Sequence, residues 1–191
     1  MSVWTRVLPK LRDRSLAIDL AMSILGAIGL VLFTQVRIPV PGTPVLITLQ
    51  VLGVLLLGGV LGPRVGALAV LEYLTMGACG LPVFMGGGSG VPFALITGGF
   101  LLSFLPATIL FGWMAQHLNQ TTYRLKLVGL CTAGLVTVAL IYGCGWAWMA
   151  WPFGLGAAKA FTLGVQPFIL LDVAKVAVAA AALAAGTRKE A

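Results

Sequence analysis

Charge is what this sequence has least of. Only five of its 191 residues are Asp or Glu, and charged residues of both signs make up 9%. Soluble domains hold about 25%. With 60% hydrophobic residues, a soluble fold of this chain would lack the polar groups to cover its surface. The scarcity excludes a water-soluble domain and points to an integral membrane protein, read as one domain over 1–191. Histidine occurs once, at His117, so no His-Glu-x-x-His metal motif exists. The three cysteines, Cys79, Cys131 and Cys144, are widely spaced in apolar stretches. They form no CxxC and read as small buried hydrophobes, so no metal site is expected. No carboxylates pair at catalytic spacing, and Ser23, Ser89 and Ser103 have no evident base. No catalytic residue and no cofactor follow, and no ATP-binding motif is present, so the chain cannot power active transport alone.

What is present is a succession of apolar segments. A transmembrane helix needs about 20 largely apolar residues. That ruler predicts an all-α membrane bundle of six spans, at 16–34, 45–61, 65–80, 94–116, 125–149 and 168–185. Gly62-Pro63-Arg64 predicts a tight turn between the second and third, which are short. The N-terminus reads as a first span and not as a cleavable signal. Arg6, Lys10, Arg12 and Arg14 precede a segment long enough to cross, and no small-residue cleavage site stands out.

The net charge of +7 is distributed at span ends and forms no nucleic-acid footprint. With the N-terminus inside, the inside segments hold Arg6, Lys10, Arg12, Arg14, Arg64, Arg124, Lys126, Arg188 and Lys189. The outside loops hold only Arg37 and Lys159. Nine basic residues against two predict both termini in the cytoplasm. The outside loops are unusual. The first, from Gln35 to Pro44, carries three prolines; the second, from Leu81 to Pro92, is apolar and glycine-rich; the third, from Trp151 to Val165, has room for a short helix. Loops this apolar are expected to fold over one another and cap an outward-side pocket, because irregular backbone at membrane depth needs protein or a cavity around it.

Two ionisable residues interrupt the last apolar segment, Asp172 and Lys175. A charge at the bilayer centre costs at least about 2.5–3.5 kcal/mol. Their i, i+3 spacing puts them on one helical face. They read either as a structural ion pair or as a ligand site, in which Asp172 accepts N–H groups of a planar polar ligand and Lys175 neutralises it or donates to a ligand oxygen. Glu72 lies inside the third span and reads as a bundle-facing or inter-protein residue; Asp19 sits near the start of the first and is unassigned. The glycines from Gly86 to Gly90 allow sharp turns and close backbone approach to a ligand. In the first span, Ala17-x-x-x-Ala21 and Gly26-x-x-Gly29 leave a groove for another helix, either within the bundle or on a separate membrane subunit.

Four stretches together resemble a known family. They are Gln35-Val36-Arg37-Ile38-Pro39-Val40-Pro41 with Thr43-Pro44-Val45 and Thr48-Leu49-Gln50; Leu61-Gly62-Pro63-Arg64 with Gly66-Ala67; Gly77 and Gly80-Leu81-Pro82-Val83-Phe84 with Gly86-Gly87; and Gly164-Val165 and Pro167-Phe168 with Asp172 and Lys175. In this order, from about Ala17 to Ala185, the chain resembles the biotin-specific substrate-binding S components (BioY) of energy-coupling factor (ECF) transporters. It departs from the usual family pattern at Leu95-Ile96-Thr97-Gly98-Gly99-Phe100, where a proline and a tyrosine are missing, and at Leu170-Leu171 before Asp172. The resemblance implies high-affinity binding of biotin from outside at a bacterial cytoplasmic membrane. The implied partners are a transmembrane coupling subunit, docked at Ala17 and Ala21, and two ATP-binding cassette ATPases. Some members work without a dedicated module. On this reading Asp172 accepts the ureido N–H groups and Lys175 supports it or donates to the ureido oxygen. Tyr73, Phe84 and Phe168 pack the rings, Thr97 and the Gly86–Gly87 backbone add hydrogen bonds, and Arg37 in a lid-like first loop meets the carboxylate. The alternatives are an S component for another vitamin and a stand-alone facilitator or channel, though no charged rings mark an ion pore. For an intramembrane enzyme no residue set is found.

Overall fold

The computed structural model describes residues 16–38, 42, 45–118 and 122–186. The basic residues Arg6, Lys10, Arg12, Arg14, Arg188 and Lys189, and the prolines Pro39, Pro41 and Pro44, lie outside the described residues. Among the described residues six helices carry the fold: α1 (Leu16–Gln35), α2 (Gln50–Ala78), α3 (Gly98–His117), α4 (Tyr123–Ala150), α5 (Ala157–Gly164) and α6 (Ile169–Ala185). The first four are long and apolar enough to cross a membrane. The pair α5 and α6, bent by 51°, meets the same criterion when taken together.

The 29-residue α2 is not one rod. Gly62 holds φ +82 and ψ 174 inside it, a conformation that glycine adopts without a Cβ penalty. Pro63 follows at the first position of the new helix, where its missing N–H costs nothing. The chain reverses there. Gln50 Nε2 reaches the Tyr73 hydroxyl at 2.7 Å, although 23 positions of continuous helix would separate them by about 35 Å. The two arms, 50–61 and 63–78, correspond to the second and third predicted spans. Glycines bring them against their neighbours. A Cβ on Gly58 would stand 2.7 Å from the Thr108 carbonyl oxygen, and one on Gly112 would stand 2.8 Å from the Gly58 carbonyl oxygen and from Pro63 N. Backbone therefore meets backbone between α2 and α3, the close approach that small residues permit where lipid gives helices no hydrophobic drive to associate.

Buried apolar side chains gather in two main clusters. One joins Ala27 and Leu30 of α1 to Val70 and Tyr73 of α2, Phe84, and Phe104 of α3. The other joins Leu55 of α2 to Phe111 of α3, Leu130 of α4, and Val176 and Ala180 of α6. Outward faces are as apolar as the core: Leu16, Leu25 and Leu32 of α1 and Leu170 of α6 are all more than 60% exposed. Lipid is the solvent such a surface fits.

The loop segments differ from the expected boundaries in two places. The span predicted from 45 begins as helix only at Gln50, because Ile47–Thr48 forms a strand, β2, paired antiparallel with Arg37–Ile38, β1. Both β2 residues are β-branched, and the pleat suits them. The span predicted from 94 begins at Gly98. Before it, Pro92–Ala94 makes a 3-10 turn and Leu95 is extended; a Cβ at Gly98 would collide with the Pro92 carbonyl. The expected short helix of the third loop is α5. The loops do lie over one another. The Leu46 N–H donates to Met85 Sδ at 3.2 Å, and the indoles of Trp146 and Trp148 donate to the carbonyls of Ala157 and Leu95.

The glycine contacts generate a paired expectation. Gly112→Val overpacks a backbone contact and is expected to lower unfolding free energy by about 1–3 kcal/mol. Gly143→Ala, with open space at its Cβ position, is expected to be near neutral. Thermal denaturation of both variants in detergent, followed by circular dichroism, makes the comparison.

Candidate functional site

The first two turns of α6 place Asp172 and Lys175 on its inward face, and both are buried. Lys175 Nζ donates to Asp172 Oδ1 at 2.5 Å. The other carboxylate oxygen accepts from Tyr142 of α4 at 2.6 Å. Helix packing brings that tyrosine within reach. Gly134 leaves room for Val176, whose Cγ1 lies 2.6 Å from where a Cβ would stand, so α4 and α6 run close together. The position in the first turn also puts the carboxylate at the end of the helix dipole that favours an anion. With one donor on each oxygen, the carboxylate still has acceptor capacity, since two oxygens offer about four lone-pair sites.

Asp172, Lys175 and Tyr142 form part of the wall of a cavity of about 160 Å³ beneath the loops. The remaining wall is mainly apolar and aromatic: Phe84, Phe100, Phe104 and Phe168, with Val45, Leu46, Met85 and Ile141. Thr48, Gln50 and Thr97 supply its other polar side chains. A mostly apolar concavity with a few fixed polar groups is what a small-molecule binding site requires.

Gln50 is held by a second polar network. The Thr48 hydroxyl donates to Gln50 Oε1 at 3.1 Å. Gln50 Nε2 donates to the Tyr73 hydroxyl at 2.7 Å, and that hydroxyl lies 3.3 Å from Thr34 Oγ1 of α1. Tyr73 is fully buried and stands edge-on to Phe84, with ring centroids 5.3 Å apart. A side chain on Gly77 would overlap the Phe84 ring, so the glycine of the second arm is what lets Phe84 enter.

Of the residues picked out from the sequence, Asp172, Lys175, Phe84, Thr97 and Phe168 meet on the cavity wall. Tyr73 lies behind the wall, as a support for Gln50 and Phe84. Gly86 and Gly87 are exposed, both with positive φ, and Gly88 takes the lining position instead. Arg37 is exposed on β1, off the wall; a Cβ on Gly86 would lie 3.7 Å from its Nη1, so the guanidinium sits beside the glycine loop. Ala17 and Ala21 are exposed on α1. Tyr142 and Gln50 were not foreseen as site residues. The signal for Tyr142 is a hydroxyl inside an apolar span, about two turns from its end, where tyrosine more usually sits at the interface itself.

A family model for the BioY family matches residues 7–190. The chain belongs to the BioY family. Named BioY relatives support this over most of their length. A probable biotin transporter BioY of Pyrococcus horikoshii is 42% identical over 137 residues, covering 71% of this chain and 76% of the relative. Biotin transporter BioY2 of Lactococcus lactis is 34% identical over 158 residues, covering 82% and 83%. Biotin transporter BioY of Rhodobacter capsulatus is 35% identical over 171 residues, covering 84% and 86%. The fold is similar to the crystal structure of the S component for biotin from an ECF-type ABC transporter, with a TM-score of 0.80 at 22% identity, over 91% of this chain and 93% of that one.

The ion pair in this BioY chain makes a stability prediction. Removing one partner leaves the other buried and unpaired, at a cost of about 3–5 kcal/mol. Lys175→Met is therefore expected to be strongly destabilising in detergent, and Lys175→Met with Asp172→Leu to recover most of the loss. Unfolding titrations of the two variants and the parent check this; equal losses would refute the burial argument.

Proposed function

We propose that this chain is the biotin-binding membrane component of a vitamin uptake transporter, a transport protein and not an enzyme. Membership in the BioY family supports this reading. The observation that carries it is the carboxylate of Asp172, oriented by Tyr142 and Lys175 on the wall of an aromatic cavity under the outside loops. Biotin has a flat ureido group, a thioether ring and an apolar tail ending in a carboxylate. The free lone pairs of Asp172 accept the ureido N–H groups, and Lys175 and Tyr142 keep the acceptor fixed. Phe84 and Phe168 enclose the rings. Thr97 and Gln50 offer further polar contacts. Arg37, beside Gly86 and Gly87, meets the tail carboxylate at the loop side, and the β1–β2 hairpin covers the mouth.

In this reading the chain is one membrane domain with six crossings. The two arms of α2 count separately and the bent α5–α6 pair counts once. The excess of basic residues on one side sets both termini in the cytoplasm, and the site then opens to the outside of the cytoplasmic membrane. A transmembrane coupling subunit docks on the exposed Ala17 and Ala21 of α1, and two ATP-binding cassette ATPases energise uptake.

Isothermal titration with the purified chain tests the assignment. Loss of the carboxylate charge in Asp172→Asn is expected to weaken biotin about 10- to 100-fold, the range for hydrogen bonds to a charged group. Tyr142→Phe, which leaves the charge in place, is expected to cost about 3- to 10-fold. Unchanged affinity in Asp172→Asn sinks the assigned site, and tighter binding of another vitamin in a panel would replace biotin as the ligand.

A further inference from the structure

The hydrogen bonds that hold Gln50 have a fixed direction. Thr34 is fully buried in α1, and its hydroxyl donates to the Leu30 carbonyl at 2.7 Å. A hydroxyl has one proton, so Thr34 Oγ1 can only accept from the Tyr73 hydroxyl, 3.3 Å away. That commits the single proton of Tyr73 to Thr34. The Tyr73 oxygen is then an acceptor, and the Gln50 atom 2.7 Å from it is the amide nitrogen. The strand side agrees. Thr48 Oγ1 accepts the Gln50 backbone N–H at 3.3 Å and gives its own proton to Gln50 Oε1 at 3.1 Å. The reverse orientation of the amide would set Oε1 against a tyrosine oxygen whose proton is already committed. A backbone carbonyl inside α1 therefore decides which way the Gln50 amide faces.

An amide nitrogen carries two N–H groups. One goes to Tyr73, and the other has no acceptor among the described residues. Gln50 and Thr48 stand on the cavity wall, whereas Tyr73 and Thr34 are behind it. We infer that Tyr73 and Thr34 are positioning residues for ligand binding: they lock the Gln50 amide so that its second N–H is a donor for an oxygen of the bound molecule. The cavity then offers an acceptor at Asp172 and a donor at Gln50. A ligand that carries both N–H and C=O groups satisfies the two together. One that lacks the oxygen leaves a buried donor unmatched, which binding sites penalise. This inference rests on the biotin-binding reading for the ligand, whose acceptor oxygens are the ureido carbonyl and the tail carboxylate.

The test is isothermal titration of biotin into the purified full chain in detergent, with thermal unfolding of each ligand-free variant read alongside. Thr34→Val is nearly isosteric and lies off the cavity wall. It removes the acceptor that fixes the Tyr73 proton, so Tyr73 turns its proton to Gln50 and the amide reverses. Thr34→Val and Tyr73→Phe are each expected to weaken biotin about 3- to 10-fold, and Gln50→Leu by a similar factor. Thr34→Ser keeps the hydroxyl and is expected to retain most of the affinity. Adding Thr34→Val to Gln50→Leu is expected to change affinity by less than about twofold, because the relay then has nothing to position. With biotin methyl ester, the Gln50→Leu loss persists where the ureido oxygen takes the donor and vanishes where the tail carboxylate does. Unchanged affinity in Gln50→Leu overturns the inference. So do Thr34→Val and Gln50→Leu losses that multiply in the double variant, or a Thr34→Ser as weak as Thr34→Val, since packing alone would give those results. No binding by the parent overturns the biotin reading, whereas binding that responds to Asp172→Asn but not to these variants overturns the relay alone.

Discussion

Everything at the candidate site depends on a carboxylate that has been taken out of water. Asp172 is tolerable in α6 only because Lys175 and Tyr142 each give one of its oxygens a donor. Those partners come from the same helix and from α4, so the pairing also fixes how α4 and α6 face each other. Buried ion pairs contribute little net stability compared with apolar replacements. That such a group stands in an otherwise apolar helix is what motivates the proposal that its remaining lone pairs meet a polar ligand. The aromatic wall around it favours that role, because an electrostatic interaction at a given distance is stronger where water is absent.

The polar groups around the cavity are organised as two separate networks. Tyr142, Asp172 and Lys175 tie α4 to α6. Thr34, Tyr73, Gln50 and Thr48 tie α1 and both arms of α2 to the strand β2. The first holds the charged side of the cavity, and the second holds the neutral side together with the base of the covering hairpin. Phe84 joins the second network to the cavity, standing edge-on to Tyr73 and lining the wall. The helices beneath are locked by glycine contacts that leave no side chain to repack, so adaptation to a ligand falls to the loops.

Much of this was readable from residue order, for identifiable reasons. Long apolar segments mark helices because the bilayer fixes their length, and Gly62-Pro63 marks a reversal because only that order combines a positive φ with a helix start. Asp172 and Lys175 stood out because charge is so costly in such a segment. What could not be read was tertiary. The strand at Ile47–Thr48 exists only through its pairing with Arg37–Ile38, and a run such as Val45-Leu46-Ile47-Thr48 suits a helix equally well in isolation. Tyr142 and Gln50 become site residues only once α4 meets α6 and the arms of α2 fold back. Tyr73 was placed in the wrong layer for the same reason: periodicity says that it faces inward, but not that Gln50 and Phe84 stand between it and the cavity.

The cavity wall is assembled from distant parts of the chain, with Val45 and Leu46 at one end of the sequence and Phe168, Asp172 and Lys175 at the other. A molecule seated there touches segments that the unfolded chain holds far apart, so it acts as a removable cross-link. By mass action it stabilises the folded chain by an amount that grows with the logarithm of its concentration relative to Kd, and because the wall includes both loops and helix ends, that stabilisation reaches the roof and the bundle together. Occupancy of the site is thereby written into the rigidity of the whole loop-bearing half.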